Sequence, residues 1–176
     1  MSDRQSRTYT GIGARRTPSD VLDLMRSLAA RLPRAGWVLR SGGADGADRA
    51  FEEGAASVDG EWETYRADGG WCGLADLTPG GPTAGAFELA ARVHPAWARC
   101  SDRVRALHAR NCHEILGPDL TEPSRFVVSW TPDGSLDGAS RDAGGTGQAL
   151  RVAALHSIPV FNLRRPDHRT RIERYL

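Results

Sequence analysis

Residues 39–54 read Leu39-Arg-Ser-Gly-Gly-Ala-Asp-Gly-Ala-Asp-Arg-Ala-Phe-Glu-Glu-Gly54, and their reading decides the fold. The apolar run Trp37, Val38 and Leu39 leads into Ser41–Gly43, a turn whose glycines lack Cβ atoms and let a ligand come close to the backbone. Ala47, Ala50, Phe51 and Gly54 then recur at i, i+3, i+4 and i+7, the period of a helix face. Strand, glycine turn and helix in succession place unpaired N–H groups and the positive end of a helix dipole at the turn, where an anion fits. The same glycines also serve a purely structural tight βα connection. A second stretch repeats the pattern: strand-like Phe126–Trp130, then Ala143-Gly144-Gly145-Thr146-Gly147, then a helical Gln148–His156.

Working outward, Thr8–Gly13 is a short strand ending in glycines, and Gly11–Arg16 sets Arg15 and Arg16 beside them. Thr17-Pro18-Ser19-Asp20 has the form of a helix start, with Thr17 as cap, Pro18 at the first helical position and an acid at the third. Val21, Leu22, Met25, Leu28, Ala29 and Leu32 carry the helix face until Pro33 and Gly36 stop it. This is one βαβ unit, and parallel pairing of its strands brings the Gly11 and Gly42 turns into one crevice. Glu61–Tyr65 is a weak strand. Ala67–Gly85, with six glycines and two prolines, is long and aperiodic, which suits a lid or site-lining loop containing Trp71 and Cys72.

Phe87–Val93 and Pro95–Leu116 read as two helices, the second with Val104, Leu107 and Ile115 as core positions and Arg105, His108, Arg110, Asn111 and His113 on a polar face. His108 and Cys112 are four apart, with Cys100 eight residues before His108, but this spacing matches no compact zinc signature, so no metal is expected. Phe126–Trp130, apolar throughout, reads as the central strand, buried on both faces. With Ala149–Leu155 and Ile158–Asn162 it makes a second βαβ unit. Arg164–Leu176, with five arginines, reads as a solvated helix.

At 176 residues with 40% apolar content, the chain fits one domain spanning 1–176, an α/β fold of Rossmann-like doubly wound type with a mainly parallel sheet. A net charge of +1 gives no bulk attraction to nucleic acid or anionic lipid. No apolar run reaches membrane-spanning or signal-peptide length, and three cysteines without a CxxC pair suit a reducing compartment, so a cytosolic protein with free thiols is expected.

The chain resembles the SLOG superfamily, which includes the LONELY GUY phosphoribohydrolases, the DNA-processing protein A family and nucleotide-sensing domains, and looks most like its short phage-type members. The resemblance covers Thr10 to about Leu163 and rests on Gly11-Ile-Gly13-Ala-Arg15, Ser41-Gly-Gly43-Ala-Asp45-Gly-Ala-Asp48, Ala109-Arg110-Asn111 and Gly144-Gly145-Thr146-Gly147. It implies a nucleotide-like small molecule held at the strand C-termini, commonly in a homo-oligomer, with no further cofactor. Gly11, Gly13, Arg15, Ser41, Gly42, Gly43, Asp45, Arg110, Asn111, Gly144, Gly145, Thr146 and Gly147 are the candidate ligand- and phosphate-binding residues.

One departure bears on activity. The phosphoribohydrolases carry a glutamate after the second glycine turn, whereas here the stretch is Ala143-Gly-Gly-Thr-Gly-Gln-Ala-Leu-Arg151, with no carboxylate to assist N-glycosidic cleavage. Asp48 and Glu52, four apart on one helical face, are the substitutes the sequence offers, although acids in a first helical turn also serve the dipole. The leading expectation is a nucleotide sensor or sequestering module. A phosphoribohydrolase is the alternative, and single-stranded DNA binding ranks third.

Overall fold

The computed structural model describes residues 7–68 and 81–174. Among them, β1 (Thr8–Gly13), β2 (Val38–Ser41), β3 (Trp62–Thr64), β4 (Val127–Trp130) and β5 (Val160–Asn162) form one all-parallel sheet in the order β3-β2-β1-β4-β5. The helices are α1 (Ser19–Arg31), α2 (Ala47–Ala56), α3 (Ala84–Val93), α4 (Asp102–Leu116), α5 (Thr146–Leu155) and α6 (Pro166–Glu173). This is the Rossmann-like α/β fold expected. Most of the anticipated lid, including Trp71 and Cys72, lies outside the described residues.

Side chains alternate across β1, so Tyr9 enters the apolar cluster with α1 and α2 while Ile12 enters the cluster with α3, α4 and α5. Helix α2 lies unusually close on β1. A Cβ on Gly11 would stand 2.6 Å from the Phe51 ring, and one on Gly13 would stand 2.7 Å from Ala47 Cβ. These glycines therefore serve helix–strand packing at least as much as any ligand. Edge strand β3 is tied to β2 by a buried ion pair, Arg40 Nε to Glu63 Oε2 at 2.9 Å, and the Tyr65 hydroxyl donates to the same carboxylate.

Several sequence expectations change. The central strand is β1, with β2 and β4 on its two sides. The apolar run in β4 reports burial on both faces, which a strand one place from the centre shares. Thr17 does not cap α1: its hydroxyl donates to the Ala14 carbonyl (2.6 Å), closing the preceding turn, and Pro18 occupies the cap position. Pro95–Leu116 is not one helix. Trp97–Arg99 forms a 3-10 turn, Cys100 is extended, and Ser101 starts α4 by accepting from the Val104 N–H. The new start leaves Val104 exposed and buries Arg110, Asn111 and His113, residues assigned to a polar face. Helix α6 is largely solvated, as expected, and is anchored by Ile172 in the core and by His168 Nδ1, which accepts from the Asn162 N–H (3.1 Å).

No helix among the described residues is long and apolar enough to cross a membrane.

Candidate functional site

Neighbouring strands β1 and β4 send their chains to opposite faces of the sheet, since α1 packs with α2 on one face and α5 with α4 on the other. A crevice opens at such a switch point, beyond the strand C-termini. Here it is a cavity of about 920 Å³. Its wall is built from Ile12–Arg16 at the end of β1, Ala44 and Asp48 around the start of α2, Leu107, His108, Arg110, Asn111 and Glu114 of α4, and Arg141–Thr146 leading into α5.

The two glycine turns, alike in sequence, differ in what surrounds them. Gly144, at φ +57, and Gly145 line the cavity, and a Cβ on either would meet nothing within 4 Å. Gly145 is the first-turn boundary of α5, and no carbonyl among the described residues accepts from its N–H or from that of Thr146. Asn111 Nδ2 donates to the Gly145 carbonyl (3.1 Å), which fixes the turn against α4. Gly147 is turned away and packs on Gly138 and Ala143.

The Gly42-Gly43 turn is occupied by protein. A Cβ on Gly42 would lie 1.6 Å from Arg110 Nη1, and the Gly42 carbonyl accepts from that same nitrogen (2.7 Å). Gly43, at φ +65, packs on Thr64. Among the described residues, Gly11, Ser41, Gly42, Gly43 and Asp45 are not part of the cavity wall, and Asp45 is exposed and paired with Arg49 (3.1 Å). The glycines here make room for an arginine.

Asp48 joins the first two turns. Its Oδ1 accepts from the Gly13 N–H (3.2 Å) and its Oδ2 from the Ala44 N–H (3.4 Å). Glu52, the other carboxylate suggested by sequence, points elsewhere and accepts from Thr64 Oγ1 (2.9 Å). Its place beside Asp48 is taken by Glu114, which sequence reading missed. Glu114 is buried, and its Oε1 lies 2.8 Å from Arg110 Nη1 in an ion contact that lacks hydrogen-bond alignment. Burial pushes both Asp48 and Glu114 above the ordinary carboxylate range, only partly offset by Arg110. Burial is the dominant cause for each, so both hold a proton to higher pH than an exposed carboxyl does.

Arg110 is thus an internal counter-ion, held by Glu114, Gly42 and Tyr65. The cations with freedom to meet a ligand are others. Arg15, Arg16, Arg99 and Arg141 line the cavity, are exposed, and have no ion-pair partner among the described residues. Counting Arg110 and Arg151, six arginines line the cavity against the carboxylates of Asp48, Glu114 and Asp142. A chain of near-zero net charge therefore concentrates positive charge at one crevice. Arg141 lies three residues before Gly144 of the open glycine turn, a sequence signal that could have found it, whereas Arg99 depends on the break before α4.

His94 and His108 also line the cavity, with ring centroids 4.5 Å apart, and Cys100 is near both. Cys112 is not with them: it is buried, and its thiol donates to the Ala86 carbonyl (3.6 Å). Comparison with family models, with curated proteins and with solved structures finds no match for this chain.

Proposed function

We propose that the chain binds a nucleotide or nucleotide-derived anion in the crevice between β1 and β4, acting as a sensor or sequestering module. The phosphate would sit against the Gly145 and Thr146 N–H groups at the α5 N-terminus, with Arg15 and Arg16 across the cavity as counter-charge. The observation that carries the reading is the coincidence, at the switch point, of an open glycine turn with unused N–H groups and four arginines without acidic partners. The cavity volume suits a ligand of this size. The SLOG resemblance supports the same class of ligand. A thermal-shift screen of nucleoside mono-, di- and triphosphates, nicotinamide dinucleotides and cyclic dinucleotides tests it. At least one should raise the melting temperature, and the double variant Arg15→Gln/Arg16→Gln should lose most of that shift. No shift from any of them at millimolar concentration, with the protein folded, would defeat the reading.

A second reading rests on Asp48 and Glu114, two carboxyls in the cavity wall that burial pushes above the ordinary carboxylate range. A carboxyl that is protonated near neutrality can assist a departing base, as N-glycosidic hydrolysis of a nucleoside phosphate requires. Release of free base from nucleoside monophosphates, abolished by Glu114→Gln and unaffected by Glu52→Gln, would establish it. The absence of free base would leave the binding module.

A further inference from the structure

The geometry points to a zinc-type metal site formed by His94, Cys100 and His108 at the rim of the cavity. His94 follows the last residue of α3, Cys100 is the extended residue before the α4 cap, and His108 lies inside α4. The break in the expected long helix is what folds the three together. One ligand atom from each lies within 4.8 Å of the others, and Cys100 Sγ is 3.9 Å from either ring nitrogen of His94. Zinc bonds of about 2.0–2.1 Å to nitrogen and about 2.3 Å to sulfur, at tetrahedral angles, put such atoms roughly 3.4–3.6 Å apart. Contraction by up to about 1.4 Å through side-chain rotation suffices.

His108 Nδ1 supplies an independent observation. It is buried and has no hydrogen-bond partner, a costly state for an imidazole nitrogen that a metal bond would relieve. The donor set, two imidazoles and a thiol, selects a borderline-soft divalent cation over magnesium or calcium. Burial keeps both histidines in the neutral, ligating form. Two features oppose a cation: the Arg151 guanidinium, whose charge reaches both histidines, and the Ala96 N–H bond to His94 Nδ1 (3.1 Å), which is exchanged if that nitrogen binds. As the metal–sulfur bond forms, the Cys100 proton leaves to solvent, and the thiolate cancels one of the two positive charges. With three protein ligands, the fourth position faces the cavity, into which His94 and His108 look. This inference concerns different atoms from those proposed to hold phosphate and stands without a nucleotide.

The test is a titration of the metal-stripped full chain with cobalt(II) under reducing conditions. One equivalent should produce intense visible bands of a four-coordinate ion and a thiolate-to-cobalt charge-transfer band, both bleached by zinc. Cys100→Ser should abolish the charge-transfer band, His108→Asn should weaken affinity at least tenfold, and Cys112→Ser should leave the spectrum intact. Zinc should also slow alkylation of Cys100 in the unmutated chain, a readout that needs no variant to fold. Only the pale spectrum of hexa-aqua cobalt in the unmutated chain, an unprotected Cys100, or a charge-transfer band that persists in Cys100→Ser would each overturn the assignment.

Discussion

Gly42 and Gly145 occupy similar places in similar motifs, and their surroundings predict opposite outcomes on substitution. Gly145 has ordinary helical dihedrals and open space where a Cβ would go, so Gly145→Val should fold with a melting temperature within a few degrees of the parent while losing at least tenfold in nucleotide affinity. Gly42→Ala drives a methyl into the Arg110 guanidinium and should cost about 1–3 kcal/mol or more in denaturant unfolding, whether or not ligand is present. Sequence made both turns legible as glycine turns. It could not tell them apart, because the same missing Cβ admits a ligand at one and a buried arginine at the other. Glu114 was illegible for a related reason: it becomes a partner of Asp48 only through the packing of α4 on the second turn. Its titration gives a further prediction. A carboxyl raised in the folded state binds its proton more tightly there than when unfolded, so it contributes stability at low pH that is lost as pH rises from its ordinary value near 4.5 towards about 8. Glu114→Gln cannot titrate, and chemical denaturation across that range should show its stability gaining steadily on that of the unmutated chain. A stability difference that does not change with pH, or a variant that falls further behind as pH rises, would mean that Arg110 keeps Glu114 ionised throughout.

Among the elements, α4 is where periodicity and structure diverge most. Leu107 and Val104 suggested an apolar face, yet Val104 is exposed and Leu107 faces the cavity, while the last two turns, from Ala109 to Leu116, are buried regardless of polarity. The C-terminal half of α4, enclosed on several sides by α3, α5 and the Gly42 turn, has no solvent face for a period to record. The strands were easier to read. Short apolar runs between polar or turn residues marked β2, β4 and β5, and a run into Gly11 and Gly13 marked β1, each within a residue or two, because parallel strands covered on both faces need little else. Strand β3 carried a weak signal because its energetics rest on polar groups. Its Glu63 is the buried partner of Arg40, and removing it leaves that charge buried with only the exposed Glu122 carboxylate, 3.5 Å away, as an ionic partner. Glu63→Ala should therefore destabilise the fold by about 3–5 kcal/mol, well beyond the loss of a surface ion pair. A cost below about 1 kcal/mol in equilibrium denaturation would show that water or Glu122 substitutes for the lost carboxylate.

For the molecule as a whole, charge distribution matters more than charge. With 23 basic and 22 acidic side chains there is little long-range attraction to a polyanion, but the crevice gathers arginines that no acid neutralises. A compact anion that enters the crevice meets those cations together, whereas a single-stranded DNA chain running over the surface meets them with the acids interspersed. The α6 segment does not change this: Arg169 already reaches Asp20 at 3.5 Å, and Arg171 lies over the Phe161 ring. Non-specific DNA affinity scales with the number of phosphates neutralised and falls steeply with salt. Fluorescence anisotropy with a labelled oligonucleotide from about 50 to 200 mM salt should accordingly show binding only at the low end, and Arg164→Gln/Arg165→Gln, which alters α6 flanking residues outside the crevice, should account for much of it. Nucleotide binding measured in parallel should fall far less over the same range, since it involves few phosphates and a partly enclosed site. Submicromolar DNA binding that survives at the upper salt concentration and is lost on Arg15→Gln/Arg16→Gln would reverse the order. It would make the crevice a track for a nucleic-acid backbone instead of a pocket for a single nucleotide.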